Sequence, residues 1–352
     1  MALLRWHYAR MNKAFLAASA ALALTLPASA QEAGKPAYPA PSEIVAAAPK
    51  SDWVAIPAED LLVMTLAPDA EGKARQVVIQ LMPAPFSQGW VHNIRLFARS
   101  GWYDGISVNR VQDNYVTQWG DPNYDNPEAT GEPKPLPEGL KVMKEKEYVV
   151  SDIAALQDGY LPVFRRHEAA NKNSRDDVIA FPIHDAYPGT PFHFKGWPLV
   201  LGFTGRIADH AYPTHCYGMV GVGRNYSPDT GSGAELYTVI GHAPRHLDRN
   251  IALVGRVIEG MDHLSSLPRG KGALGFYAAD EADKRTPILS VRVASDLPAS
   301  EQPRFEYLST ESDTFATYAE AIANRRDPFF IVPAGGADIC NIRVPVRAVS
   351  GG

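Results

Sequence analysis

Arg110 is the first residue whose setting asks for chemistry. It lies in "YDGISVNRVQDNYVTQWGDP", Tyr103–Pro122, whose first half alternates like a β-strand. That period of two places Ile106, Val108 and Arg110 on one face, so a guanidinium shares a strand face with two aliphatic side chains. Either its stem is laid over those neighbours for packing, or the charge is held there to act. Asp113-Asn114 then turns the chain and delivers Tyr115, Val116 and Gln118 beside it.

The other reactive residue types point elsewhere less firmly. Among the ten histidines, His242 and His246 stand four apart in "HAPRH", but Pro244 breaks the helix that would align them. His184, His193, His210 and His215 have no tight spacing, and "HEAAN" at His167 lacks the second His of a zinc-protease motif, so no metal site is expected. The "KEKE" run, Lys144 to Glu147, reads as a solvated face. Cys216 and Cys340 are the two cysteines; they either pair or sit as two buried thiols.

Strands and turns must position these groups. "DLLVMTLAP" and "RQVVIQLM", separated by a polar "DAEGKA", predict a β-hairpin. "PFSQGWVHNIRLFARSG" predicts a helix capped by Ser87 and ended by Gly101, with Trp90, Val91, Ile94 and Phe97 on one face. Five prolines between residues 121 and 140 predict a loop, and residues 141–215 read as irregular apart from a short helix at "SDIAAL". Four strands are expected at "HCYGMVGVGR", "AELYTVIG", "RNIALVGRVI" and "TPILSVRVAS", with a short helix at "GMDHLSSL". The tail predicts a helix at "SDTFATYAEAIANRR", capped by Ser312 or Asp313, and strand-like runs at "PFFIV" and "ICNIRVPVRAV".

The chain has 352 residues, 45% hydrophobic and 21% charged, enough to bury a core. Arg5, Arg10 and Lys13 precede a short apolar run, Ala14 to Leu26, and then the small-residue site Ala28-Ser29-Ala30. This reads as a cleaved export signal, the run being well short of the roughly 20 residues that span a bilayer. Cleavage after Ala30 removes those three basic residues and no acidic one, taking the formal net charge from −5 to −8. Such a balance argues against nucleic acid or an anionic membrane as partner.

Two long blocks carry a family resemblance. "SGWYDGISVNRVQDNYVTQWGDP" resembles the cyclophilin-type peptidyl-prolyl isomerase block Y-D-G-x-x-F-H-R-v-x-x-x-F-x-x-Q-G-G-D-P. "GSGAELYTVIGHAPRHLDRNIALVGRVIEGMD" resembles the later block, G-S-Q-F-F, W-L-D, V-F-G-x-V-x-x-G-M-D. The likeness covers roughly residues 58–121 and 214–297. It implies a mainly β fold: a closed eight-stranded antiparallel barrel capped by two helices, with the active site on its outer face. The stretch from Asp121 to Gly218 is about twice or more the family's length, which implies a loop-rich insertion at about 122–213. The organisation is then a signal peptide at 1–30, an Ala/Pro-rich arm at 31–52, a cyclophilin-like domain at 53–298, and a small α/β extension at 299–352.

The resemblance also implies function: cis/trans exchange at X-Pro bonds in exported, periplasmic or secreted proteins, with proline-containing polypeptides as partners and no cofactor. Arg110 matches the catalytic Arg. Tyr115, Val116, Tyr237 and Leu247 match the walls that seat the proline, and Gln118, Gly223 and Glu235 the groups that hold the substrate backbone. Five positions depart from the pattern. Trp119 replaces a Gly and is expected to crowd the pocket rim; Glu235 stands for Gln and is placed to pair with Arg110. His246 stands for Trp, which is expected to weaken cyclosporin binding, while Ile251 and Arg224 replace His and Asn. These departures carry the alternative of a barrel that binds or scaffolds with little isomerase activity.

Overall fold

The computed structural model describes residues 38–124, 126–157, 160–161, 183 and 185–349; the export signal, His167 and His184 lie outside them. After a short helix α1 (Pro41–Ala46) and strand β1 (Trp53–Ala55), the expected hairpin forms from β2 (Leu61–Leu66) and β3 (Arg75–Leu81), paired antiparallel. "LLVMTL" is buried on both faces because each face has a different cover. Leu62, Met64 and Leu66 point into the barrel, while Leu61 and Val63 pack under the tail residues Phe305 and Tyr307.

Helix α2 (Gln88–Arg99) closes one end of the barrel with Trp90, Val91, Ile94 and Phe97, and Gly101 ends it at φ 68°. Ser87 does not cap it as expected. Its backbone is left-handed, φ 54°, so the hydroxyl is not offered to the first-turn amides, and its side chain makes no capping bond. Strands β4 (Ser107–Val111) and β5 (Val116–Gly120) follow as an antiparallel pair.

The stretch read as irregular holds an antiparallel sheet of three strands: β6 (Thr190–Phe194), β7 (Trp197–Thr204) and β8 (Ile207–Pro213). Its first turn is Lys195-Gly196, both at positive φ (48° and 82°), between the paired residues Phe194 and Trp197. This is the backbone a two-residue hairpin demands. Phe192, Leu199, Leu201 and Ala211 join the main core, so the insertion is packed onto the barrel.

Strands β9 (Met219–Val222), β10 (Leu236–Val239) and β11 (Leu253–Glu259), the short helix α3 (Met261–Ser265) and β12 (Ile288–Val293) complete the barrel. Among the described residues its sheet has eight strands in the order β12-β2-β3-β11-β9-β10-β5-β4. The Val108 amide donates to the Thr286 carbonyl and the Ile288 amide to that of Ile106, drawing the two edges together.

In the tail, β13 (Phe305–Leu308) pairs with both β1 and β14 (Val346–Ala348), so the first residues of the cyclophilin-like domain and the C-terminal extension share one sheet. Helix α4 (Asp313–Ala323) is capped by Ser312, whose hydroxyl accepts from the Phe315 amide, and it packs on α1 through Ile44, Phe315 and Tyr318. "PFFIV" forms no strand; it turns in solvent between Pro328 and Pro333, with Phe329 and Ile331 exposed, and no strand among the described residues pairs with it. "ICNIRVPVRAV" pairs only at Val346–Ala348, because its start is a 3-10 turn held by the Asp338 carboxylate on the Cys340 amide. A disulfide joins Cys216, just before β9, to Cys340. No helix among the described residues is long and apolar enough to cross a membrane.

Candidate active site

Arg110 does not share a face with Ile106 and Val108 after all. Val108 pairs with Trp119 and Arg110 with Gln118, so β4 carries one extra residue, Asn109, opposite a single step of β5. Such a bulge re-aims whatever follows it. Val108 points into the core with Trp119, and Arg110 is turned outward beside Gln118. Asn109 is buried and holds the kink: its amide donates to the Gly120 carbonyl (3.0 Å) and its oxygen accepts from the Ser107 hydroxyl (2.7 Å).

The Arg110 guanidinium is fixed on three sides. Nε donates to the Leu274 carbonyl (2.7 Å), one terminal nitrogen to Gln118 Oε1 (3.0 Å) and the other to Gln112 Oε1. The rings of Tyr115 and Phe276 flank it, each with its centroid 5.6 Å from the guanidinium carbon. Burial pushes its pKa down, while Tyr115 and Glu235 oppose that shift. Three of the five N–H donors are thus committed, leaving two for a substrate.

All eight residues matched to the family site line one cleft on the barrel's outer face: Arg110, Tyr115, Val116, Gln118, Gly223, Glu235, Tyr237 and Leu247. The sheet brings them together, since Gln118 on β5, Tyr237 on β10 and Gly221 on β9 are successive cross-strand partners. A side chain at Gly221 would collide with the Tyr237 hydroxyl, so the tyrosine ring lies across that glycine. Val116, Tyr237 and Val239 form a small apolar cluster with Tyr115, Leu247 and Ile251 around it. This is the half of the cleft suited to a proline ring. In the other half Gln118 donates to Glu235 Oε2 at 2.6 Å, and Gly223 leaves room for Glu235. Glu235 thus reaches Arg110 through Gln118.

One expectation about the departures changes. Trp119 is buried in the core at 1% exposure and leaves the rim uncrowded, because alternation along β5 sends Gln118 outward and Trp119 inward. His246 stacks on Tyr115, with centroids 6.4 Å apart, beside the cleft. Ile251 and Arg224 line it, the latter donating to the Asn250 and Asn225 carbonyls. Sequence reasoning missed Leu274, Phe276, Pro127 and Asn225, which also line the cleft. Phe276 arrives through an isolated bridge to Arg110, a pairing that no local pattern announces. The histidines scatter: His193 bonds the Ile342 carbonyl, His210 stacks on Tyr212, and His215 lies behind Tyr237.

The cleft thus combines a fixed cation, an apolar seat and polar groups able to meet a peptide backbone. The family model described as "Cyclophilin type peptidyl-prolyl cis-trans isomerase/CLD" matches residues 73–293. Cyclophilin AquaCyp293 from Hirschia baltica is 17% identical, with a TM-score of 0.55 over 85% of this chain and 95% of that one. A Cryptosporidium parvum cyclophilin type peptidyl-prolyl cis-trans isomerase is 11% identical, with a TM-score of 0.33 over 65% of this chain and 97% of that one. Among curated proteins none is significantly similar in sequence. The match spans more than half of the sequence, and this chain belongs to the cyclophilin-type peptidyl-prolyl cis-trans isomerase family.

Proposed function

We propose that the protein is exported and speeds X-Pro isomerisation in other exported proteins, with Arg110 as its catalytic residue. The barrier to rotation is ~18–20 kcal/mol because the twisted imide loses resonance. Once twisted, the proline nitrogen regains a lone pair. A cation already fixed beside the ring donates to it at no further cost of organisation, which favours the transition state over either ground state. Tyr115, Val116, Tyr237 and Leu247 seat the ring, while Gln118, Gly223 and Glu235 hold the flanking backbone. No covalent intermediate, metal or proton transfer is required.

The observation that carries this reading is the bulge-directed placement of Arg110 against the apolar seat, with two donors uncommitted. Replacing Arg110 with Ala should lower kcat/KM on an Ala-Pro peptide about 100-fold or more, the usual cost of one preorganised donor. A protease-coupled or NMR exchange assay measures it. Equal rates in both proteins, near the uncatalysed rate, would leave a proline-binding barrel in place of an enzyme. Export is supported by the basic, apolar and Ala-Ser-Ala sequence of residues 1–30 and by the Cys216–Cys340 disulfide. Mass spectrometry of the protein from its native compartment should find Gln31 as the first residue; an intact N-terminus in the cytoplasm would refute it.

A further inference from the structure

Behind the proline seat runs a buried polar chain that the isomerase reading does not use. The Tyr237 hydroxyl lies 2.9 Å from His215 Nε2, and His215 Nδ1 lies 2.9 Å from Asp248 Oδ1. Asp248 Oδ1 also accepts from the His215 amide (2.9 Å), and its other oxygen accepts from Arg245 Nε at 2.6 Å. Arg245 continues to Asp185 Oδ2 at 2.6 Å, on the insertion, and Asp338 of the tail lies 3.8 Å away. The side chains of His215, Arg245 and Asp185 are each 1% exposed.

The direction of each bond follows from the acceptor at the centre. A carboxylate oxygen with no proton can only accept, so Nδ1 of His215 carries the hydrogen. Nε2 is then the bare nitrogen, and the Tyr237 O–H must donate to it. The hydroxyl is therefore turned away from the cleft, and the proline meets only the ring. Burial lowers the His215 pKa, which keeps the imidazole neutral and Nε2 an acceptor. Gly221 carries no side chain to fix the ring's tilt, so its backbone and the hydroxyl's bond to His215 together set how the ring lies.

We infer that His215 is a positioning residue for the proline seat: it holds the Tyr237 ring in its binding orientation and ties that orientation to the insertion through Asp248, Arg245 and Asp185. It acts on substrate binding, upstream of the Arg110 chemistry. The inference rests on the isomerase reading only for where the proline sits.

A double-mutant cycle on the full chain tests it, using His215→Leu, Tyr237→Phe and the pair, with His215→Gln as a conservative variant. Isomerisation kinetics and direct affinity for the same Ala-Pro peptide are both read. Each single change should raise KM and Kd about fivefold with kcat within twofold, and the double variant should be no weaker than either single. His215→Gln, whose amide oxygen can take the hydroxyl, should recover most of the affinity. Unchanged affinity in Tyr237→Phe, which keeps the ring and folds most readily, would overturn the proposal. So would effects that multiply in the double variant, or a Gln variant as weak as Leu. If Arg110→Ala shows that the protein is no isomerase, the Kd series still decides the role of His215.

Discussion

One residue, Asn109, decides which way Arg110 faces. As the extra residue of the β4 bulge it breaks the alternation that would otherwise send Arg110 into the barrel with Ile106 and Val108. Its side chain pays for the kink with two buried hydrogen bonds, to Gly120 and Ser107. Asn109→Ala removes both and strands the Gly120 carbonyl. Denaturant melts should show a loss of about 1–3 kcal/mol, the cost of an unsatisfied buried group. The same variant should lose kcat/KM several-fold at temperatures where it is still folded, because Arg110 is less firmly aimed. Intact kinetics would show that the bulge holds without its asparagine.

At the scale of the element, β5 works on both faces at once. Val116 and Gln118 face the cleft, while Thr117 and Trp119 face the core. Trp119 therefore belongs to stability. Trp119→Ala should cost about 3–5 kcal/mol through the cavity it leaves, and calorimetry should show it. Peptide affinity below the new melting point should change little; a large gain in affinity would mean that the indole had been obstructing the rim. The short sheet of β6, β7 and β8 shows a different lesson. Its turn signal, Lys195-Gly196 between "PFHF" and "WPLVLGF", was present in the sequence but weaker than Asn-Gly, and the surrounding prolines and histidines obscured it.

Over the whole molecule, the tail is fastened to the barrel by the disulfide, by β1 and by His193. The His193 ring is buried against Phe315 and donates from Nε2 to the Ile342 carbonyl at 3.2 Å. Burial pushes its pKa from 6.5 down to about 4. The unfolded chain therefore binds the extra proton first, and stability falls with acid. The contribution is complete above about pH 6.5 and is lost progressively as pH drops through 4, in total about 3 kcal/mol. His193→Gln keeps a donor for Ile342 without the titration, so its loss of stability between pH 6.5 and 4 should be smaller by about that amount. Parallel denaturant series in the two proteins read the difference. Identical slopes would assign the acid sensitivity to other groups.

Local pattern by itself determined the hairpin, α2, the barrel strands and the tail helix, because period and capping residues act within a few positions. Two sequence blocks were enough to name the family and the eight cleft residues, since a site built on fixed strands keeps its residue types at fixed spacing. Only the tertiary structure decided the orientation of Arg110, the burial of Trp119, the arrival of Phe276 and the chain from Tyr237 to Asp185. Each depends on cross-strand register or on contact between segments distant in sequence. A one-residue bulge reverses every face that simple alternation assigns, and a buried histidine has no spacing signal when its partners lie 22 and 33 positions away.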